Sequence, residues 1–485
     1  MLKQKYKYVI TALVLILLIS SRFVLLDRSA RFIWDESDDL LRMQQIYDNH
    51  RITLVGPISG NNINIYGSLS YYMLMPFTVA MDFDPLGPAF GTAFYSVVMI
   101  ALLAYFFSKK LKWSYAVAIL FLLAIFPFVQ TGRWAWNPHY IPFWQTLSLL
   151  VLLIPGIKKR WYLWILIGFL QGLGIHNHWY AIFSMAGVFM AMAIHFLKEK
   201  KWKELVAYVI GGFGAILPFI VFDLLRPPGL FISRLLYFSP ITQGTEAGFK
   251  IDYVARLWQL PYQFIHYFFQ NDVFTIIFIV VLAGYAYHVF RHGQKQKFLL
   301  LIPVVVQIAC LIFISNQIND HYYLPAVIFF LLFLCMPDDK KRFSFFQKSI
   351  LIIFITLSIP ASISEITKND WSTNISRTKK ITRLISDNID GKRCNIMAIA
   401  SQDSGTTGKK YRDLLEVWGT KILNKEEYTD YDCLFVVSTS DIKTIQKDPS
   451  YELDLIRKNK PVHVWEVEGE WKLYKFVRTL DAHAK

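Results

Sequence analysis

An adjacent pair of carboxylates, Asp35 and Glu36, follows closely on the first apolar stretch, in RFIWDESDDLLRMQQIYDN. A carboxylate held at a membrane boundary is a natural general base for an alcohol acceptor. The same residues also suit a structural role. Asp35 is the expected N-cap of a short interfacial helix, with Leu40, Leu41, Met43, Ile46 and Tyr47 as its apolar stripe and Asp38 and Asp39 on its solvated side. Local chemistry alone leaves both readings open.

Three further clusters bear on the same question. TGRWAWNPHYIPFW, from Thr131, gathers Arg133, Asn137 and His139 among Trp134, Trp136, Tyr140 and Trp144. The guanidinium fork of Arg133 suits phosphate, while the rings suit an interfacial aromatic belt. GIHNHWY compresses His176, Asn177 and His178 into one turn, fitting polar substrate contact or a helix boundary. Two histidines are too few for a metal site by themselves. NQINDHYYLP adds Asn319, Asp320, His321 and Tyr322 ahead of Pro325, which falls where a helix start tolerates proline. Other signals carry little. Asp82 and Asp84 form a DxD spacing that arises readily by chance, and Asn374-Ile-Ser is a formal glycosylation acceptor only.

The elements that must position these clusters are membrane helices. Of 485 residues, 54% are hydrophobic and only 18% charged, below the roughly one quarter usual in soluble domains. The apolar runs predict an all-α polytopic protein of about eleven spans, the first over 8–26 and uncleaved. The others are expected over 88–107, 113–129, 140–155, 161–175, 178–197, 204–222, 273–290, 298–314, 322–336 and 345–361. The shorter run 69–81, which contains Pro76, is expected to be interfacial or re-entrant.

Alternate connections are basic: Lys109, Lys110 and Lys112; Lys158 to Arg160; Lys198 to Lys203; Arg291 to Lys297; Lys340 to Arg342. The connections near Pro138, Asn177 and Asn319 are nearly free of Lys and Arg. The positive-inside rule then puts the N-terminus in the cytoplasm and the candidate clusters outside. Of the formal charge of +15, residues 366–485 carry only +3, from 21 Lys and Arg against 18 Asp and Glu. The excess lies in the membrane connections, where it serves orientation and anionic lipid, and no nucleic-acid surface is expected. Asp223 falls at the end of a span, and span interiors are almost free of charge. That argues against an ion-coupled transporter with a midplane relay.

With these residues in order, the chain resembles the GT-C membrane glycosyltransferases, specifically the protein O-mannosyltransferase-like group that includes the lipid A aminoarabinose transferases. The likeness rests on Trp34-Asp35-Glu36, on GSLSYYMLMP from Gly67, on Arg133 with Trp136-Asn137-Pro138, and on His321-Tyr322-Tyr323-Leu324-Pro325. It covers 1–361, the expected membrane domain, with 27–87 as a long first outer loop. Two positions depart from the group: some members have arginine near His321, and others an acid near Asn137.

The resemblance implies an inverting transfer of a monosaccharide from a polyprenyl-phosphate donor, met in the membrane, to a glycan, lipid or protein acceptor outside. Asp35 or Glu36 would be the base, and Arg133 and His321 would face the phosphate. Tyr66, Asn137, His139, His176, His178 and Tyr322 complete the expected substrate contacts. The resemblance fixes no cofactor, and a divalent metal ion is left open. The alternatives are a polyprenyl-linked glycan flippase, which should show polarity reaching both faces, and a non-catalytic membrane scaffold; a single outer-facing cavity around Asp35 would separate the transferase from both.

Residues 362–485 are expected to form a small α/β domain outside the membrane. A helix over 376–390, strands over 394–400 and 433–438, a helix near 410–418 and a terminal hairpin are legible. SQDSGTTGKK, from Ser401, lacks the order of a phosphate loop and reads as structural. Cys394 and Cys433 open the two best strands; the compartment permits a disulfide, although buried free thiols are the commoner outcome.

Overall fold

The computed structural model describes residues 2–58, 65–233, 252–314, 318–337, 344–368, 374–399, 407–424, 426–428 and 430–478. They fall into two compact units. The first comprises Met1–Val24, Thr53–Met73 and Thr92–Ile366; the second comprises Leu25–Ile52, Leu74–Gly91 and Thr367–Lys485. Both flanks of the expected first outer loop are thus grouped with the C-terminal residues.

Through the first unit the expectation of about eleven spans is met only in part. Five helices are long and apolar enough to cross a membrane: Gln4–Phe23, Leu86–Leu111, Trp202–Leu225, Asp272–Arg291 and Phe345–Thr367. Shorter apolar helices include Leu163–Asn177, Ala181–Phe196, Gln296–Ile312 and Asp320–Cys335. The expected span 113–129 is two helices, Tyr115–Leu123 and Phe126–Thr131. Pro127 explains the break, since proline suits the first turn of a new helix but not the interior of a continuous one. The chain is a multi-pass membrane protein built from full-length and shortened helices.

A further helix, Tyr253–Phe269, lies between the expected spans 204–222 and 273–290, where no span is expected. It buries Leu260, Phe264, Tyr267 and Phe268, while Val254, Leu257 and Trp258 are exposed. One side of the helix is thus buried in protein, and the side left open carries apolar residues as well. Helices Leu163–Asn177 and Trp202–Leu225 approach closely through Gly168 and Gly211, where a Cβ would run into the carbonyls of Tyr208 and Ile165. The same unit holds a short antiparallel pair, β1 (Val55–Ile58) and β2 (Ile65–Gly67).

The second unit is built on a four-stranded sheet of β3 (Cys394–Ile399), β4 (Cys433–Ser438), β5 (His463–Glu468) and β6 (Trp471–Val477), in the order β3-β4-β6-β5. β3 and β4 are parallel, and the two remaining pairings are antiparallel. The two parallel strands are buried throughout, as strands covered on both faces must be. One face packs Ile396, Phe435 and Leu473 with Ile381 and Ile385 of helix Ile375–Asp387. The other packs Met397, Leu434 and Phe476 with Tyr428, Tyr431 and Ile456. Cys394 and Cys433 face each other in register and form a disulfide, which corrects the preference for free thiols.

Helix Trp34–Asp48 belongs to this second unit and packs against helix Lys409–Val417. Of the apolar stripe expected on this helix, Leu40 and Met43 are buried in protein and Tyr47 is exposed. The DxD residues have structural work. Asp82 has a left-handed backbone, and Asp84 accepts the Leu86 N–H and pairs with Lys379.

Candidate functional site

The candidate residues form two groups, one in each unit. In the first unit, Tyr66, His178, His321 and Tyr322 come together from strand β2 and two separate turns. Tyr66 Oη lies 3.1 Å from His178 Nε2, and the rings stack at 5.0 Å. His178 is 5.0 Å from the His321 ring and 5.4 Å from the Tyr322 ring. Trp136 closes on His321 at 4.3 Å and stacks on Trp134 at the same distance. His139 Nδ1 lies 2.8 Å from the Trp134 carbonyl, and its ring is perpendicular to Trp136.

Backbone contacts hold these turns. Asn137 Nδ2 donates to the Asn177 carbonyl, and Trp144 Nε1 donates to Asn177 Oδ1 at 3.0 Å. Gln307 Nε2 donates to the Tyr322 carbonyl at 2.8 Å and Gln145 Nε2 to the Pro325 carbonyl at 2.8 Å. Trp179 Nε1 donates to the Ile65 carbonyl, tying β2 to the His178 turn. The sequence gives no sign of Gln307 or Gln145, because a lone glutamine in an apolar helix points to no particular partner.

Two candidates stand apart from this cluster. His176 Nε2 donates to the Ala215 carbonyl at 2.7 Å, with its ring 4.2 Å from Phe219. It forms part of the close fit around Gly67, where a Cβ would meet His176 Nδ1 at 2.5 Å. Arg133 donates through its two terminal nitrogens to the carbonyls of Ser21, Arg22 and Val24. Those are orphan acceptors at the end of helix Leu2–Phe23, a favourable place for a cation.

In the second unit Asp35 and Glu36 sit in the first turn of helix Trp34–Asp48, and their environments differ. The N-cap is Ile33, not Asp35, because Glu36 reaches back to accept the Ile33 N–H at 2.9 Å. Ile33 has no side-chain acceptor, so Glu36 supplies the only side-chain half of a capping box. Glu36 is 3% exposed. Asp35 is half-buried and makes no hydrogen bond or ion pair among the described residues. Burial, reinforced by the Asp38 charge and opposed by Lys409, pushes its carboxyl up to about 6.

The neighbours of Asp35 form a network that the sequence does not announce. Lys409 Nζ lies 2.7 Å from Asp413 Oδ2 and 3.0 Å from Asp38 Oδ1. Ser37 Oγ donates to Asp413 Oδ2 at 2.6 Å. Burial works against the Lys409 ammonium, but Asp413 and Asp38 outweigh it and hold its pKa above the ordinary value. Residues 401–406 of the glycine-containing segment lie outside the described residues. Among the described residues no three or more His, Cys, Asp and Glu are gathered to hold a metal ion.

No protein-family model matches the sequence, and no curated protein matches it either. Two solved structures do share its architecture. The crystal structure of ArnT from Cupriavidus metallidurans bound to undecaprenyl phosphate superposes with a TM-score of 0.55 at 11% identity, covering 98% of each chain. ArnT from the same organism in the apo state gives 0.56 at 10% identity, again over 98% of each chain. Likeness at this identity establishes the fold: the chain is a GT-C-like polytopic membrane protein with a C-terminal β-sheet region.

Proposed function

We propose that the chain is an inverting glycosyltransferase that moves a monosaccharide from a polyprenyl-phosphate donor to a hydroxyl acceptor on the outer face of the cytoplasmic membrane. The observation that carries this reading is the Asp35 carboxyl, half-buried and unpartnered among the described residues, where burial pushes its pKa up to about 6. A base of that pKa is ionised at neutral pH yet holds a proton better than an ordinary aspartate. The likeness to a protein crystallised with undecaprenyl phosphate supports the donor class.

In the proposed step the acceptor oxygen attacks the sugar C1 as its proton passes to Asp35. The bond from C1 to the phosphate oxygen breaks, and the electron pair leaves with the polyprenyl phosphate. Because that leaving group is a stabilised anion, no general acid is needed. Glu36 fixes the helix start that carries Asp35. Tyr66, His178, His321 and Tyr322 are assigned to substrate contact, and Arg133 to fixing the end of the first helix. The basic connections support placing the C-terminal residues outside.

The test is release of polyprenyl phosphate by the purified full-length protein, supplied with a panel of polyprenyl-phosphate sugars and a mixed acceptor fraction. Turnover dependent on the protein with at least one donor is expected. No turnover with any donor, in protein that still binds polyprenyl phosphate, contradicts the reading.

A further inference from the structure

Within the second unit a half-open cavity of about 590 Å³ is lined by residues that the proposed reaction does not use. Its wall is the helix Ile375–Asp387, which presents Lys379, Lys380, Arg383 and Asp387, and Asp27 faces the same space. The volume falls within the roughly 300–1,000 Å³ range of small-molecule sites.

Lys380, Arg383 and Asp387 are exposed on the helix surface. Lys379 is committed to Asp84, and Lys380 Nζ donates to the Val467 carbonyl at 2.6 Å, which leaves most of its ammonium charge unmatched. Arg383 lies over the Trp418 ring at 5.9 Å and makes no ion pair among the described residues. Nor does Asp387, one turn further along the same helix, or Asp27. Two cations and two carboxylates therefore line one cavity without neutralising one another. A purely anionic ligand would meet the cations but be repelled by both carboxylates. A purely cationic one would meet the reverse. The lining is balanced for a ligand that carries both signs.

Chain connectivity indicates where such a ligand comes from. Asp27 follows closely on Phe23, the end of one membrane-length helix, and Leu86, which also lines the cavity, begins another. Those positions belong at the headgroup level of the bilayer. We infer that this cavity binds the headgroup of an amino-phospholipid, with its phosphate on Lys380 and Arg383 and its primary ammonium on Asp27 and Asp387. The inference does not depend on the transferase reading.

Native mass spectrometry of the full-length protein tests it, with phosphatidylethanolamine, phosphatidylcholine and phosphatidylglycerol in equimolar competition. A parallel arm offers water-soluble glycerophosphoethanolamine, to separate recognition of the headgroup from partition of the tails. Wild-type protein is expected to retain phosphatidylethanolamine several-fold over the other two and to lose it to the soluble headgroup. Lys380→Gln with Arg383→Gln should reduce that retention by about tenfold, as loss of charge-assisted contacts to phosphate does. Asp27→Asn with Asp387→Asn should instead reverse the preference towards phosphatidylglycerol, a gain that a misfolded protein would not give. Equal retention of the three lipids by wild type, or an unchanged preference in both double variants, overturns the inference.

Discussion

Ser37 Oγ donates a hydrogen bond of 2.6 Å to Asp413 Oδ2, joining residues 376 positions apart in the sequence. The bond docks the helix that carries Asp35 onto helix Lys409–Val417, and Gln44 adds a second tie to the Val417 carbonyl at 3.0 Å. Asp413→Ala removes the acceptor of Ser37 and one anionic partner of Lys409. Loss of a buried charged acceptor costs about 1–3 kcal/mol. Hydrogen exchange should quicken over 34–48 by roughly tenfold or more at that cost, while the spans keep their protection. Unchanged exchange over 34–48 would show that the network does not hold the helix.

The pH dependence of the reaction follows from the same neighbours. With the Asp35 carboxyl at about 6, kcat/KM should fall below about pH 6, approaching tenfold per pH unit as the base takes up its proton. Lys409 holds that pKa down and Asp38 holds it up. Lys409→Met should therefore move the acid limb to higher pH, and Asp38→Asn should move it lower. Stability has the opposite sense from a paired aspartate: this group favours the fold at low pH and ceases to do so as pH rises through its raised pKa. An acid limb that neither variant moves would remove Asp35 from the titration.

Much of this arrangement is legible in the sequence. The apolar runs locate the long helices and, as short continuous runs, β3 and β4 almost to the residue, while alternation locates the terminal hairpin. What the sequence hides is pairing over distance. Nothing in WDESDD points to Lys409 and Asp413, so the packing of Leu40 and Met43 against protein cannot be read from it. Helix Tyr253–Phe269 is missed because Gln259, Gln263 and His266 interrupt its hydrophobic run, although Leu260, Phe264 and Tyr267 keep helical spacing. The cluster of Tyr66, His178, His321 and Tyr322 is legible as types of residue in turns, but their convergence is tertiary.

The disulfide between Cys394 and Cys433 closes a separation of 39 residues. Cross-links of that size stabilise by about 2–4 kcal/mol. Replacing both cysteines with serine should lower the thermal midpoint of the C-terminal region by several degrees, and a reductant should do the same to wild type. Intact mass after alkylation without reduction should show label on Cys310 and Cys335 only. Label on all four cysteines would contradict the bond.

Orientation has its own test. Lys460 is exposed and lies in the connection between β4 and β5. A Lys460→Cys variant should react with a membrane-impermeant maleimide in intact cells, at a rate close to that in lysed cells. Protection until lysis would place these residues in the cytoplasm and overturn the outer assignment.

The most direct measurement compares single-turnover transfer by wild type, Asp35→Asn and Glu36→Gln at saturating polyprenyl-phosphate donor, with donor affinity measured in parallel. Asp35→Asn should cut the transfer rate by roughly 10²–10⁴ while donor affinity stays within a few-fold of wild type. Glu36→Gln keeps an acceptor for the Ile33 N–H and should retain most of its rate. Near-normal transfer by Asp35→Asn, or loss of transfer in Glu36→Gln alone, contradicts Asp35 as the base.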